Sequence, residues 1–379
     1  SPEFDFRPLG DGERLELGEV VLEFRHTPGH TPESLSMVVW EHADDPEPYA
    51  VLTGDTLFIG DVGRPDLLLS FGHSRDVLAS CLYDSLHERL MTLPDATRVF
   101  PGHGAGSACG KNLSTDTSST IGEQRRSNYA VKAPDRETFI GLITEGQPTA
   151  PAYFPYDAVL NQSEHGLLDE DQLPTSLSLD EVDAAIAGGA VLVDVRDPED
   201  FARGHLVGAI NVGLNGRYAE FAGSVVPVDV DIVLFADPGT ELEAKNRLAR
   251  IGFDRVVGNL VDPYEAMTEN PSRTASASRL TSGVLAERIA DIDDLQVVDV
   301  RGVGECGTEG VIPGSVNLPV SMVRERMGEL TPDRPTVVYC AGGYRSSVVA
   351  SMLRSEGFGD VSDLIGGFGS WEKSVEKVA

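Results

Sequence analysis

Apolar and polar positions in the second half of the chain follow a pattern that occurs twice, about a hundred residues apart. The first copy opens with the apolar run VLVDVR at Val191, and the second opens with LQVVDVR at Leu295. Each continues to a second apolar run, DIVLFA or PTVVYCA, and then to a helical stretch that closes on Gly-Phe. Short buried strands that alternate with helices predict a parallel sheet covered by helices. The spacing is too long for a solenoid repeat, so we expect a duplicated α/β domain.

The same pattern sets the expected domain limits. Residues 1–145 form a different unit, in which short apolar runs (VVLEFRHTPGH, YAVLTGDTLF and RVFPGHG) each end near a histidine or an aspartate. Residues 146–175 are rich in Pro, Asn, Gln and acidic residues and are expected to connect domains. We place the repeats at residues 176–270 and 279–379. Three domains suit a chain of 379 residues.

Charge and cysteine content narrow the classes of partner. The formal net charge is −31, from 61 acidic and 30 basic residues, which argues against nucleic acid and against an anionic membrane surface. No apolar run approaches the ~18 residues of a transmembrane helix. The cysteines lack the spacing of a disulfide framework or a paired metal motif, and they fit a reducing, cytoplasmic setting. They are Cys81, Cys109, Cys306 and Cys340.

Cys340 stands at the end of a predicted buried strand, and a helix is expected to begin near Ser346. The residues between Cys340 and Arg345 include two glycines, which allow backbone amides to turn inward. Inward amides next to a helix N-terminus form an anion nest that favours the thiolate, the form that attacks a sulfane sulfur. Arg345 can add a fixed positive charge at the rim. The loop residues are Ala341, Gly342, Gly343 and Tyr344.

This loop, the Asp299/Arg301 opening and the LIGGFGSW ending with Trp371 resemble a rhodanese domain over roughly residues 280–379. The resemblance implies that Cys340 accepts a sulfur atom as a persulfide and passes it to a thiol or to sulfite. A cysteine-based phosphatase is the nearest alternative. Its loop carries one more residue between cysteine and arginine than the four residues here.

The first copy is predicted to be catalytically inactive. Alignment of the two copies on their Gly-Phe ends puts Phe235 at the position of the nucleophile. The loop ADPGTEL lacks the arginine, and Asp262-Pro263 stand where the second copy has Gly-Gly. We expect this copy to serve as a docking or spacing domain, and we expect Cys306 to be a core or loop thiol.

Three motifs in the first unit point to metal chemistry: HTPGHTPES with His26 and His30, LTGDTLFIGDVGRPDLL, and VFPGHGAGSACGK. They place Asp55, Asp61 and Arg64, and then His103 and Cys109, after successive strands. Histidines and carboxylates on several strand-end loops can converge on one metal.

These motifs are similar to the persulfide dioxygenase branch of the metallo-β-lactamase superfamily, whose fold is an αββα sandwich. The whole chain resembles the three-domain bacterial persulfide dioxygenase–rhodanese fusion. The resemblance implies Fe(II) held by two histidines and one carboxylate, and oxidation of glutathione or coenzyme A persulfide to sulfite. It implies that His30 and Asp55 are metal ligands, that His103 lies just outside them, and that Arg64 faces the anionic part of the substrate. Cys109 would be a thiol relay or a structural residue.

The chain departs from this family in one respect. The motif Thr-His-x-His-x-Asp-His, which supplies the other histidine ligand, is absent, and the segment from His42 to Asp45 does not replace it. We therefore expect an N-terminally truncated form that begins within the catalytic domain and holds the C-terminal part of the sandwich. Iron would bind it weakly or not at all. One apolar sheet face would be exposed.

The leading hypothesis is an enzyme that couples persulfide oxidation to sulfur transfer and so forms thiosulfate. Its partners would be small thiols, persulfides, sulfite and thiosulfate, with a possible homo-oligomer. One alternative is a thioester hydrolase of the glyoxalase II type. Another is a non-catalytic sulfur carrier or docking protein that uses only Cys340.

Overall fold

The computed structural model describes residues 2–105, 107, 109–111, 113–147, 151, 153–164, 166 and 168–376. It divides into two compact units, residues 1–150 and 151–379, which are treated separately below.

The first unit is built on a sheet of six strands in sequential order, in which only β4 and β5 run parallel. The strands are β1 (Arg14–Leu17), β2 (Val20–His26), β3 (Leu35–Trp40), β4 (Ala50–Gly54), β5 (Arg98–Pro101) and β6 (Ser119–Thr120). The helices are α1 (Arg75–Asp84), which continues as a π-helical turn over Ser85–Leu90, α2 (Ile121–Ser127) and α3 (Arg136–Thr144), with a 3-10 turn at Leu69–Phe71.

The two faces of this sheet differ in burial. Side chains alternate along each strand, and Val38, Val51 and Val99 share the face that packs with α1 and α3. The opposite face carries Met37 and Leu52, which are paired in register and only partly buried. Sheet residues on that face are thus apolar without being fully covered.

The second unit begins with α4 (Phe154–Leu160) and contains two α/β copies, each built on a five-stranded parallel sheet. In the first copy the strand order is β10-β8-β11-β12-β7. Its elements are β7 (Ser176–Leu177), α5 (Leu179–Ala187), β8 (Val191–Asp194), α6 (Pro198–Arg203), β9 (His205–Leu206), β10 (Ile210–Asn211), α7 (Tyr218–Val225), β11 (Ile232–Phe235), α8 (Glu241–Ala249), β12 (Val256–Leu260) and α9 (Pro263–Glu269).

A 3-10 turn at Pro271–Arg273 leads to β13 (Thr274–Ala275), which pairs antiparallel with β9, and then to the second copy. The strand order of the second copy is β14-β18-β17-β15-β16. Its elements are β14 (Ser278–Leu280), α10 (Ser282–Asp291), β15 (Gln296–Asp299), α11 (Val303–Glu309), β16 (Val316–Asn317), α12 (Val323–Arg326) between 3-10 turns at Val320–Met322 and Met327–Glu329, β17 (Thr336–Tyr339), α13 (Tyr344–Ser355), β18 (Val361–Leu364) and α14 (Gly367–Glu376).

The strand registers correct the alignment of the two copies. Asp194 pairs with Phe235 in the first copy, and Asp299 pairs with Tyr339 in the second. Phe235 therefore corresponds to Tyr339, and the residue at the position of Cys340 is Ala236. The prediction that Phe235 takes the nucleophile's place is wrong by one residue, because the segment from this strand to Gly-Phe is one residue longer in the second copy. The first copy still has no nucleophile there, because alanine carries none.

Within the stretch before the first copy, residues 154–160 form helix α4. Tyr153, just ahead of α4, is buried in the core of the second unit. Its ring fits against Gly223 of α7, where an added Cβ would lie 2.2 Å from Tyr153 Cδ1.

Among the described residues, every helix is too short or too polar to cross a bilayer.

Candidate active site

Cys340 lies between β17 and α13, and its side chain is almost wholly buried. The backbone N–H of Gly343 donates to Cys340 Sγ at 3.0 Å, and Ser346 Oγ lies 3.6 Å from the same sulfur. Gly343 has a φ of +106°, a region that favours glycine. Helix α13 begins at Tyr344, two residues before the predicted start. The backbone thus offers the thiol an amide donor and a helix N-terminus.

The glycine pair Gly366-Gly367 packs against the backbone of this loop. Gly367 has a φ of +55°, and a Cβ there would lie 2.2 Å from the Cys340 carbonyl oxygen. The next residue, Phe368, donates its N–H to that oxygen at 2.6 Å. By strand register Pro263 occupies the place of Gly367 in the first copy. The close approach of α14 to the Cys340 backbone therefore depends on glycine.

Arg345 is held by Glu305, a residue that the sequence did not single out. Its Nη1 and Nη2 donate to the two Glu305 oxygens at 2.6 and 2.7 Å. Burial alone would lower the pKa of Arg345, but the Glu305 hydrogen bonds and its charge raise it, so the guanidinium stays charged beside Cys340. Glu305 is an acidic residue on the helix after the Asp-Val-Arg run, as Glu199 and Asp200 are in the first copy. An acidic residue that recurs at this place in both copies is the one sequence signal that points to Glu305.

Asp299 and Arg301 form a fully buried ion pair at the end of β15, with Nη2 to Oδ2 at 2.7 Å. Arg301 Nη2 also donates to the Gly310 carbonyl at 2.6 Å, which fixes the end of α11. Cys306 Sγ lies 3.4 Å from Asp299 Oδ2. Burial and the Asp299 carboxylate raise the pKa of the Cys306 thiol to about 11. The Cys306 thiol therefore stays protonated at neutral pH, and a protonated thiol is a poor nucleophile.

In the first unit, His30, Asp55 and His103 follow β2, β4 and β5 respectively. His30 Nε2 and His103 Nε2 each lie 3.3 Å from Asp55 Oδ2. The hydrogen bonds to Asp55 and Cys109 raise the pKa of His103 to about 10. Burial would raise the pKa of Asp55, but the hydrogen bond from His103 and the charge of that imidazole lower it. The carboxylate is therefore ionised between two imidazoles.

His30 is oriented as a metal-binding histidine would be. Its Nδ1–H donates to the Arg64 carbonyl oxygen at 2.9 Å, which turns Nε2 towards Asp55. Burial lowers the pKa of His30, so the imidazole is neutral, the form that binds metals. Arg64 itself is buried, and its Nε and Nη2 donate to Asp66 at 2.6 and 2.8 Å. In this structure that guanidinium braces the loop, and its role towards a substrate stays a prediction.

Three donors in this cluster could hold a metal ion. The ligand atoms of His30, Asp55 and Cys109 lie within 4.8 Å of one another. The backbone packs tightly behind them, since a Cβ at Gly63 would lie 1.9 Å from the Asp55 carbonyl oxygen and one at Gly102 2.6 Å from Asp55 Oδ1. One imidazole, one carboxylate and one thiol fit a divalent transition metal. His30 and Asp55 are two of the ligands that the resemblance implies.

Asp61, in the second of the three motifs, connects two loops of this cluster. The buried carboxylate accepts from the backbone N–H of Val62 at 2.8 Å and of Lys111 at 2.7 Å, and from Tyr129 Oη at 2.8 Å. It thereby ties the loop that carries Cys109 to the loop that carries Arg64.

Comparisons with known proteins identify both parts of the chain. The family model described as rhodanese-like domain matches residues 178–270 and 281–374. A sulfurtransferase of Allochromatium vinosum is 35% identical over 96 residues, which are 25% of this chain and 89% of that protein. The chain belongs to the rhodanese family. This rhodanese thus carries two family domains, and the predicted duplication is confirmed.

Other matches carry the names of metallo-β-lactamase and persulfide dioxygenase proteins. The crystal structure of a metallo-β-lactamase from Staphylococcus aureus has a TM-score of 0.58 at 30% identity, covering 66% of this chain and 70% of that one. Human mitochondrial persulfide dioxygenase ETHE1 is 34% identical over 95 residues, 25% of this chain and 32% of that protein. The predicted fold class and the resemblance to a fusion of these two families are confirmed, and a role in sulfur metabolism is supported.

The chain spans less than half the length of several curated relatives. For an uncharacterised protein of Mycobacterium leprae, 43% identical over 118 residues, the match covers 31% of this chain and 43% of that protein.

Proposed function

We propose that this rhodanese transfers sulfane sulfur through a persulfide on Cys340. The observation that supports this most is the contact of the Gly343 amide with Cys340 Sγ at 3.0 Å. The charged Arg345 guanidinium beside it, held by Glu305, adds a second source of positive potential. An amide donor and a fixed cation favour the attacking thiolate and the same thiolate when it becomes the leaving group.

The chemistry needs two displacements at sulfur. In the first, the Cys340 thiolate attacks the outer sulfur of thiosulfate, the S–S bond of thiosulfate breaks, and sulfite leaves with the electron pair. In the second, a thiolate, sulfite or cyanide attacks the outer sulfur of the Cys340 persulfide, and the cysteine thiolate is released. Each step forms one bond to sulfur and breaks one, and neither step exchanges electrons with an external carrier.

Sulfur transfer from thiosulfate to cyanide and to glutathione tests this proposal. We expect turnover by the whole chain and none by Cys340→Ala, with Cys306→Ala as the matched control that keeps turnover. Transfer that survives Cys340→Ala would eliminate the assignment. A chain that takes up one sulfur at Cys340 but does not turn over would support the carrier function instead.

We further propose that the first unit serves the oxidation of glutathione or coenzyme A persulfide to sulfite. His30 and Asp55 would hold iron, which when bound supplies the activation of O2 that this oxidation requires. The Arg64 carbonyl keeps His30 Nε2 facing Asp55, and the glycines at 63 and 102 let the backbone close behind the carboxylate. Sulfite formed here would be an acceptor for the Cys340 persulfide, and the product would be thiosulfate.

Metal content tests the second proposal. The motif expected to supply the second histidine ligand is absent from this sequence, and His103 is expected to lie outside the metal ligands. We therefore expect well below one equivalent of iron after anaerobic loading. Asp55→Asn should remove the iron that binds, whereas Asp44→Asn, on an exposed turn, should not. Near-stoichiometric iron that Asp55→Asn leaves unchanged would refute the ligand assignment.

A further inference from the structure

The persulfide loop makes a direct contact with the inactive copy through Tyr344. This residue is the last one between Cys340 and Arg345, and it starts α13. Its hydroxyl donates to the carbonyl oxygen of Gly213 at 2.5 Å. Gly213 belongs to the first copy, in the loop after β10. Tyr344 follows Gly343, whose amide contacts the Cys340 sulfur, and it is hydrogen-bonded to the first copy.

The first copy forms a fitted receptacle for the Tyr344 ring. A Cβ on Gly213 would lie 3.1 Å from Tyr344 Cε2, and one on Gly216 would lie 3.3 Å from Tyr344 Cζ. Phe221 of α7 packs against the same ring, with centroids 5.6 Å apart. Any side chain at these glycines would press on the tyrosine. The contact therefore has both a polar and a steric component.

A second set of buried bonds joins the first copy to the helix that Tyr344 begins. Ser347 Oγ donates to Asn211 Oδ1 at 2.9 Å, and the Asn211 N–H donates to Ser351 Oγ at 2.8 Å. Asn211 is fixed within its own copy, because its Nδ2 donates to the carbonyls of Asp194 and Arg196. The start of α13 is thus tied to a rigid point of the first copy.

We propose that the inactive copy is a positioning element for the persulfide loop, and that Tyr344 is the positioning residue through which it acts. The inference rests on the proposed role of Cys340. Gly343 has no side chain to hold its amide in place, and it lies in a left-handed conformation. Its N–H can stay 3.0 Å from the sulfur only while its neighbours are fixed. On one side the neighbour is Tyr344, which the first copy holds.

Two variants, one in each copy, test this in the whole chain. Tyr344→Phe removes the hydrogen bond and keeps the ring. Gly213→Ala changes a residue of the first copy and places its Cβ 3.1 Å from the Tyr344 ring. With thiosulfate and cyanide as substrates, kcat of each variant should fall on the order of fivefold. A fall of this size corresponds to the loss of one buried hydrogen bond. KM for thiosulfate should stay the same, as should the amount of sulfur loaded per chain. Hydrogen exchange at residues 341–344 should quicken.

The matched controls are Tyr264→Phe and Gly204→Ala, which change a tyrosine and a glycine elsewhere in the first copy. Gly204 has an extended φ of −177°, and an added Cβ would meet nothing closer than 3.9 Å. Both controls should behave as wild type. Wild-type kcat and exchange in Tyr344→Phe and Gly213→Ala would overturn the positioning role. So would a fall in kcat matched by an equal fall in loaded sulfur, which indicates partial unfolding.

The outcome for the proposed function is separate. If the wild-type chain transfers no sulfur, the proposed function fails. Hydrogen exchange at residues 341–344, which needs no substrate, still decides whether the first copy holds the loop.

Discussion

Gly367→Ala is the substitution whose effect the structure predicts most sharply. The new Cβ would lie 2.2 Å from the Cys340 carbonyl oxygen, which is more than 1 Å inside normal contact, and the φ of +55° disfavours alanine. The left-handed conformation costs about 1–2 kcal/mol. Displacing the carbonyl also weakens the 2.6 Å bond from Phe368 N–H, which contributes about 1 kcal/mol. The free energy of unfolding of the second copy should therefore fall by about 3 kcal/mol.

The effect on catalysis should be larger than the effect on stability. A shift of about 1 Å in the Cys340 backbone moves the sulfur off the Gly343 amide, and misplacement of that size can lower kcat about 100-fold. Urea unfolding followed by Trp371 fluorescence, in a Trp40→Phe background, reports the second copy. Thiosulfate–cyanide transfer reports kcat. Gly359→Ala, where nothing lies within 4 Å of the added Cβ, is the control. Gly367→Ala with kcat within threefold of wild type would refute the reasoning.

Three further predictions follow from contacts in the second unit. Glu305→Gln should lower kcat of sulfur transfer about tenfold, because Arg345 loses a charged bidentate partner. Glu325→Gln, which changes an exposed side chain of α12, should leave kcat unchanged. Equal kcat values in the two variants would contradict the role of Glu305. Ala236→Cys combined with Cys340→Ala should transfer no sulfur, because that loop lacks the arginine and α9 begins on Pro263; measurable transfer would show that the cysteine position alone suffices. Burial and the charge of Asp254 raise the pKa of Asp157 from 3.8 to about 6. The folded state therefore binds the proton more tightly, and the contribution of the neutral Asp157 carboxyl to the docking of α4 is lost as pH rises through 6. Hydrogen exchange over residues 154–160 should be slowed by Asp157→Asn at neutral pH but not near pH 4, and an equal effect at both values would refute this.

The strands, the duplication and the persulfide loop could be predicted because they depend on local patterns. Apolar runs bounded by turn residues mark the strands, and the two Asp-Val-Arg runs show the repeat directly. Cys340 and Arg345 lie within one short loop, so their proximity follows from their spacing in the chain. His30, Asp55 and His103 meet for a related reason, since each follows a strand that ends at the same edge of one sheet.

The remaining features depend on contacts between residues distant in sequence. Glu305 reaches Arg345 from a helix forty positions earlier, and Tyr344 reaches Gly213 in the other copy. No spacing rule predicts such pairs from one sequence. The wrong assignment of Phe235, rather than Ala236, to the position of Cys340 has another origin. The two copies differ by one residue in length, which shifts an alignment based on Gly-Phe. The pairing of β11 with β8, compared with that of β17 with β15, corrects it.

The site of sulfur attachment tests the central claim most directly. After the chain is incubated with thiosulfate and unreacted thiols are blocked, peptide mass spectrometry can locate the added sulfur among the four cysteines. We predict one added sulfur atom on the peptide with Cys340, removed by cyanide and absent in Cys340→Ala. Sulfur on Cys109 or Cys306 with none on Cys340 would contradict the account.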